Sequence, residues 1–304
     1  MLNMQKINIA FCFDKNLWRQ AAVSITSLLS VSKSVCHYDI YCIVSDDITD
    51  GERIQLKKNV RTIDAKSDIH FFTAGDNTSG KKIAHAAGFY FRLQLPKILQ
   101  NIDKIIYCDV DTVFMQNLLS LWQYDMKHNI LCGVKDGLNL KKSWKKYQTK
   151  TDKKFIIQQG KYINSGVILI NLKKMRNENM YEKFQSMIGE KIRYKDQDIL
   201  NYTCFPWIDY LPLRYNFIPR ASRKYSRMLR ENLITKSDIT DAKNNPVIYH
   251  FMNCNPWKVS STKSNMWWKY AAITPFYNAL KNEYIAQHKI LGRIKFVLLE
   301  MNKK

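Results

Sequence analysis

Three features of the sequence predict an α/β fold built on a mostly parallel sheet with flanking helices. Strand-like apolar runs alternate with segments of helical spacing, beginning with a strand, helix, strand order in the first 44 residues. Those first runs end in acidic and turn-forming residues. At 304 residues and 46% hydrophobic composition, the chain is long and apolar enough for a large core, which excludes a disordered protein.

The elements follow in order. Ile7 to Phe13 is a short apolar run and reads as a buried strand, followed by the polar turn Asp14 to Asn16. Gln20 to Leu29 has helical spacing, and Tyr38 to Val44 is a second strand closed by Ser45-Asp46-Asp47. Ala86 to Leu99 predicts an apolar helix carrying Arg92 and closing near Pro96. Lys104 to Cys108, Ile130 to Val134 and Gly166 to Ile170 read as strands, the last a central one. Lys173 to Ile188 predicts a helix and Asp196 to Tyr202 a shorter one. A last strand covers Val247 to Tyr249, and Asn265 to Lys281 is an aromatic-rich helix. Tyr284 to Met301 pairs Leu291, Ile294, Val297 and Leu298 with Lys289, Arg293 and Lys295, the pattern of a basic amphipathic helix. With no internal repeat and no interdomain linker, the chain divides into a domain over 1–260 and a helical extension over 261–304.

Composition narrows the function. Gly (10) and Pro (7) are too scarce for collagen-like architecture, and neither G-x-G-x-x-G nor G-x-x-x-x-G-K-S/T is present. The seven cysteines are scattered without a C-x-x-C pair, which signals neither a zinc knuckle nor a disulfide framework. No run approaches the roughly 18 to 20 apolar residues of a membrane span, and the first apolar stretch is interrupted by Asp14. The expectation is a soluble, reducing, cytoplasmic protein. Lys+Arg 48 against Asp+Glu 26 gives a net charge of +22, which calls for nucleic acid, an anionic membrane or a phosphorylated substrate as partner.

Chemistry concentrates at YCDVDTVF. Residues two apart in an extended segment face the same side, so Asp109 and Asp111 can converge on one hard cation such as Mg²⁺ or Mn²⁺. They also follow the carboxyl end of a strand, where α/β sheets bind ligands. The second Asp-x-Asp, Asp196-Gln197-Asp198, lies on a predicted helix, where positions i and i+2 diverge by about 200° and make a poor chelate.

The order FDKN, FYFRLQLPKIL, IDKIIYCDVDTVF, YINSGVILINL, KDQDILN and HFMNCNPW resembles glycosyltransferase family 8, from about Ile7 to Trp257. This family includes bacterial lipopolysaccharide galactosyl- and glucosyltransferases and glycogenin. The resemblance implies a GT-A type, Rossmann-like domain with a basic helical C-terminal tail, using UDP-glucose or UDP-galactose with Mn²⁺ (or Mg²⁺). It implies metal ligation by Asp109, Asp111 and His250, and donor binding by Asp14 and Asn16 near the uracil and ribose. Arg92 matches an arginine that contacts the donor, Asn164 and Ser165 match residues lining the donor sugar, and Asp196 and Gln197 match the pair nearest the reacting carbon. Each has a structural alternative: a hydrogen-bonded buried histidine for His250, turn chemistry for Asp14 and Asn16, an ion pair for Arg92, Asp109 included among its partners.

The family retains the α configuration of the donor. Double displacement needs a carboxylate nucleophile, as in retaining glycosidases, whereas the matching place holds Gln197. Front-face substitution is therefore expected, with Gln197 stabilising the transition state and Asp196 binding a sugar hydroxyl. One departure stands out. Where family members have glycine and then Lys-Pro-Trp, this chain has Asn253 and Asn255 ahead of Pro256 and Trp257, in a segment one residue shorter. Lys258 is the replacement expected for the diphosphate-binding lysine, and the departure leaves a catalytically degenerate, UDP-binding protein as an alternative.

The positive charge is clustered. Lys141 to Lys154 holds seven lysines and one aspartate, Arg220 to Lys236 six basic residues and one glutamate, and Lys281 to Lys304 six basic residues and two glutamates. A basic nucleic-acid-binding protein is the rival reading, without any motif to support it. The expected partners are a UDP-hexose, a lipid-linked saccharide acceptor such as a lipopolysaccharide or lipooligosaccharide core, and an anionic inner-membrane surface met by the tail, with no nucleic acid. The tail's alternative is docking on the domain. The expected location is cytoplasmic, peripheral on the inner face of the cytoplasmic membrane.

Overall fold

The computed structural model describes residues 4–74, 87–137, 150, 152–155, 157, 160–252, 254–258 and 263–287. Its strands are β1 (Lys6–Phe13), β2 (His37–Val44), β3 (Asp68–Thr73), β4 (Lys104–Cys108), β5 (Thr112–Phe114), β6 (Leu131–Lys135), β7 (Ile163–Asn171), β8 (Ile208–Tyr210) and β9 (Ile248–His250). Seven form the central sheet in the order β3-β2-β1-β4-β7-β6-β8, and β5 pairs with β9 apart from it. The sheet is parallel except at β7, which runs against both its neighbours. The predicted fold class is thus the observed one.

Its helices of eight or more residues are α1 (Trp18–Ser30), α2 (Asp50–Ile63), α3 (Met180–Met187), α4 (Lys195–Cys204), α5 (Ser222–Arg230), α6 (Lys236–Asn244), α7 (Ser264–Ala271) and α8 (Tyr277–Gln287). Alternate residues of each central strand feed opposite cores, as the period of two requires. Ile9, Phe11, Ile106, Val167 and Leu169 pack on the side of α1, α7 and α8. Ala10, Ile105, Tyr107, Ile168 and Ile170 pack with Phe184 of α3 and Ile199 of α4.

Several elements differ from the sequence expectation for identifiable reasons. The helix expected over Ala86 to Leu99 is a set of short turns, Ala87–Tyr90, Phe91–Gln94 and Leu95–Ile98. Pro96 has no N–H to give the Arg92 carbonyl, which takes the Leu95 N–H instead and tightens the turn to 3₁₀. The helix expected over Lys173 to Ile188 breaks at Asn179, whose φ of 50° is left-handed. The aromatic helix expected over Asn265 to Lys281 divides into α7 and α8, where Thr274 turns the chain ahead of Pro275. Asn164 and Ser165 lie inside β7 rather than before it. The basic run Lys141 to Lys154 falls mostly outside the described residues, as do Asn253 and the tail beyond Gln287. All seven cysteines are free, six of them buried. Among the described residues, no helix is long and apolar enough to cross a membrane.

Candidate active site

The antiparallel insertion of β7 creates the site. Because β7 runs against β4, its first residues lie beside the last residues of β4, at the ligand-binding end of the sheet. The Asp109 N–H donates to the Gly166 carbonyl at 2.8 Å, so Asn164, Ser165 and Gly166 stand next to Asp109.

His250 arrives through the small sheet. Thr112 on β5 pairs with His250 on β9, and the Phe251 N–H donates to the Asp111 carbonyl at 2.8 Å. Helix α1 fixes β5 in turn: the Phe114 N–H donates to Ser27 Oγ (3.0 Å), and the hydroxyls of Ser24 and Thr112 share a hydrogen bond (3.0 Å). One ligand atom from each of Asp109, Asp111 and His250 then lies within 4.8 Å of the others. His250 Nε2 is 3.3 Å from Asp111 Oδ1 and 3.8 Å from Asp109 Oδ2.

The hydrogen bonds behind the imidazole set its tautomer. Asn216 Nδ2 donates to Asn164 Oδ1 (2.8 Å), which leaves Asn216 Oδ1 facing His250 Nδ1 (2.8 Å). Nδ1 therefore carries hydrogen, and in the neutral ring Nε2 turns its lone pair toward two carboxylates. Burial disfavours charge on His250, yet Asp111 outweighs it and raises the imidazole pKa. Burial likewise pushes the Asp111 carboxyl up, and His250 overrides this and holds it below its ordinary value. The shifts favour an imidazolium on His250 and a carboxylate on Asp111, an ion pair in the metal-free site. Two carboxylates and an imidazole with an outer hydrogen bond form a donor set that fits a divalent ion such as Mn²⁺. Gly166 keeps the space open: a Cβ there would sit 2.3 Å from His250 Cε1 and 2.7 Å from Asp109 Oδ2.

Arg92 ties the acids together. Nη2 lies 2.9 Å from Asp109 Oδ1, Nε 2.9 Å from Asp196 Oδ2, and Nη1 donates to the Ser165 carbonyl at 2.7 Å. The Nε contact is an ion pair in which the N–H is not aligned for a hydrogen bond, since both atoms are buried without such a partner. The guanidinium also covers the Tyr107 ring at 4.5 Å. Burial opposes its charge, and Asp109, Tyr107 and Asp196 overcome it, so its pKa is raised. Burial lifts the Asp196 carboxyl to about 6, with Arg92 opposing and Asp109 reinforcing the shift.

Gln197 is held as firmly. Its Oε1 accepts from the Ser165 N–H (3.0 Å), Ser165 Oγ (3.3 Å) and Asn164 Nδ2 (3.3 Å), while Nε2 donates to the Tyr162 hydroxyl (3.3 Å). Asp198, two residues on, accepts instead from the Tyr162 hydroxyl and the Tyr194 N–H, away from the Asp109 cluster. Arg92, Asp109, Asn164, Ser165, Asp196, Gln197 and His250 line one cavity of about 460 Å³. Asp14, Asn16 and Lys258 line another of about 730 Å³ with Trp18, Glu52 and Trp257. There the Asp14 carboxylate accepts the Asn16 N–H at 2.9 Å, the turn chemistry weighed for this pair. Asn255 borders neither cavity, and its carbonyl accepts the Lys258 N–H at 2.9 Å.

Residues 8–260 match the family model described as Glycosyl transferase family 8. The chain belongs to this family. A Haemophilus influenzae relative is 33% identical over 173 residues, 56% of this chain and 47% of that protein, so the match spans about half of the relative's length. A lipopolysaccharide 1,2-glucosyltransferase of Escherichia coli K12 is 24% identical over 288 residues, 91% of this chain and 78% of that one. The solved complex of the galactosyltransferase LgtC with donor and acceptor sugar analogues superposes with a TM-score of 0.72 at 22% identity, covering 88% of this chain and 96% of the other. At that identity the likeness establishes the fold, a GT-A architecture. The protein is a family 8 glycosyltransferase related to lipopolysaccharide glycosyltransferases, as its motifs predict.

In this glycosyltransferase three site residues escaped the sequence reading. Gly166 was seen only as the start of a strand. Asn216 and Asp136 went unnoticed, although Asp136 is buried at the end of β6, paired with Lys224 at 2.6 Å and accepting from Asn164 Nδ2 at 3.1 Å. The one local signal was for Asp136, an acid straight after an apolar strand. For Asn216 the sequence carries none.

Proposed function

We propose that this glycosyltransferase moves glucose or galactose from UDP-hexose to a bacterial surface glycan, a lipopolysaccharide or lipooligosaccharide core, with retention of the anomeric configuration. The observation that carries the reading is that Asp109, Asp111 and His250 converge at the cavity that Asp196 and Gln197 line. In this reading Asp109, Asp111 and His250 hold Mn²⁺ (or Mg²⁺), whose chemistry when bound is to neutralise the diphosphate leaving group. Asp14 and Asn16 bind the nucleoside, and Lys258, with Asn255 behind it, replaces the missing diphosphate lysine. Asn164 and Ser165 meet the donor sugar, and Arg92 fixes the acids around it.

The geometry of Gln197 and Asp196 supports front-face substitution. Gln197 is a carboxamide whose oxygen already accepts three hydrogen bonds, which suits a fixed dipole beside developing positive charge and not a nucleophile. Asp196 is buried in its ion pair with Arg92 and would have to abandon it to attack. The catalytic unit in this proposal is the 1–260 domain together with α7 and α8, which pack into its core, and the basic segment beyond Gln287 contacts the anionic inner face of the cytoplasmic membrane. A panel of UDP-sugars with Mn²⁺, followed by UDP release, tests the reading. One UDP-hexose should be turned over, and Asp111→Ala should abolish Mn²⁺-dependent release; turnover equal to the native enzyme would sink the metal assignment.

A further inference from the structure

We infer that the outer wall of the Asp109 cavity is an acceptor subsite for a saccharide bearing an anionic group, a phosphate or a carboxylate. Lys195 and Arg227 bind the anion and Phe89 supports the sugar ring. The inference rests on the transferase reading and adds to it the chemical class of the acceptor.

The charges of the cavity carry the argument. Five cations and three aspartates line it. Arg92 is committed to Asp109 and Asp196, Lys224 to Asp136, and Arg193 covers the Tyr194 ring at 4.8 Å. Lys195 has its ammonium 4.7 Å from the Phe89 ring, and Arg227 Nε donates to the Arg223 carbonyl. Among the described residues, no carboxylate lies within ion-pair distance of Lys195 or Arg227. A neutral sugar is held by amides and carboxylates that match its hydroxyls. Two cations beyond the cavity's own acids instead match an anion, with Arg offering the planar fork that suits phosphate and carboxylate.

Two further observations place a sugar there. Phe89 is 53% exposed at this cavity, an apolar face open to solvent where the C–H face of a pyranose can lie. Lys195 opens α4 with a φ of 45°, a left-handed conformation that is strained for a lysine. A regular helix would turn three successive side chains about 100° apart. With this irregular start, Lys195, Asp196 and Gln197 all line one cavity, so the anion site adjoins the residues proposed to face the reacting carbon.

Calorimetry on the full chain tests this, with a hexose phosphate, a hexuronate and the parent neutral hexose as probes, each with and without UDP and Mn²⁺. At least one charged sugar should bind about tenfold or more tightly than the neutral hexose, and whichever does names the anionic group. The double variant Lys195→Ala/Arg227→Ala should erase the difference, Lys195→Arg should retain it, and Phe89→Ala should weaken the sugars without weakening inorganic phosphate. Equal affinities for charged and neutral sugars, or a preference that survives the double variant, would overturn the inference. A tenfold loss of UDP affinity in the double variant would overturn it too, by assigning both cations to the donor diphosphate. A native chain that binds no UDP yet still prefers a charged sugar would defeat the donor reading alone.

Discussion

Arg92 and Gly166 show how much of this site depends on single residues. Each of the three guanidinium nitrogens of Arg92 meets a different neighbour, Asp109, Asp196 or Ser165, so one side chain sets the spacing of two acids and a strand. Gly166 acts by leaving room, since any Cβ would collide with His250 and Asp109. Gly166→Ala should therefore weaken Mn²⁺ binding roughly tenfold to a hundredfold, comparable to losing an outer partner of a ligand, with the far-UV circular dichroism unchanged. Calorimetric affinity within twofold of the native protein would contradict this. Asp196 supplies a pH signature. Its folded pKa, about 6, lies above the ordinary aspartate value, so the folded state keeps a proton that the unfolded chain has released. Its contribution to stability is present at low pH and is lost as pH rises from about 4 through 6. In the metal-free protein, Asp196→Asn should remove that fall, so the Tm of the variant relative to native rises between pH 4 and 6.5. A difference independent of pH would exclude the elevated carboxyl.

At the scale of elements, β7 and the β5–β9 pair assemble the site. A parallel β7 would have carried Asn164 and Ser165 to the opposite end of the sheet from Asp109; the reversal brings them together. The β5–β9 pair has only three residues in each strand and relies on α1 for support. Ser27→Ala leaves the buried Phe114 N–H without its acceptor, which should cost about 1–3 kcal/mol in urea unfolding and weaken Mn²⁺ binding through β5. Unchanged stability and affinity would show that β5 holds its place without α1. The capping box of Thr49 and Glu52 was a readable start signal for α2, and that of Thr235 and Asp238 for α6. Neither helix carries an apolar run to mark it, since α2 buries only Leu56, Asn59 and Val60 and α6 only Ala242.

At the scale of the whole molecule, α7 and α8 share the core of the sheet. Trp267, Trp268 and Tyr284 are fully buried with residues of β1 and α1, and Trp268 Nε1 donates to the Pro256 carbonyl at 3.2 Å. That bond anchors the segment leading to Trp257 and Lys258, so the C-terminal helices support one wall of the second cavity. Trp268→Ala should cost about 3–5 kcal/mol of stability, read by chemical denaturation, and reduce UDP affinity along with it. A loss below about 1 kcal/mol would mean that these helices are not integral to the core. The net charge of +22 also resolves at this scale: part of the Arg220 to Lys236 cluster, Lys224 and Arg227, lines the Asp109 cavity from α5.

The sequence by itself determined the fold class, the family, the Asp109–Asp111 pair and the identity of Gln197. These are local matters: a strand's apolar period, two acids at a spacing that shares one face, and motifs read in order. Only the tertiary structure decided the rest. It reversed β7, set Asn216 behind His250, required glycine at position 166 and held Asp136 against Lys224. It also decided that Arg92 is bonded on three sides rather than free to meet a ligand with its whole fork. Those outcomes join residues up to about 100 positions apart, as Arg92 and Asp196 are, and no local pattern encodes which distant groups will meet when a buried charge must find its partner.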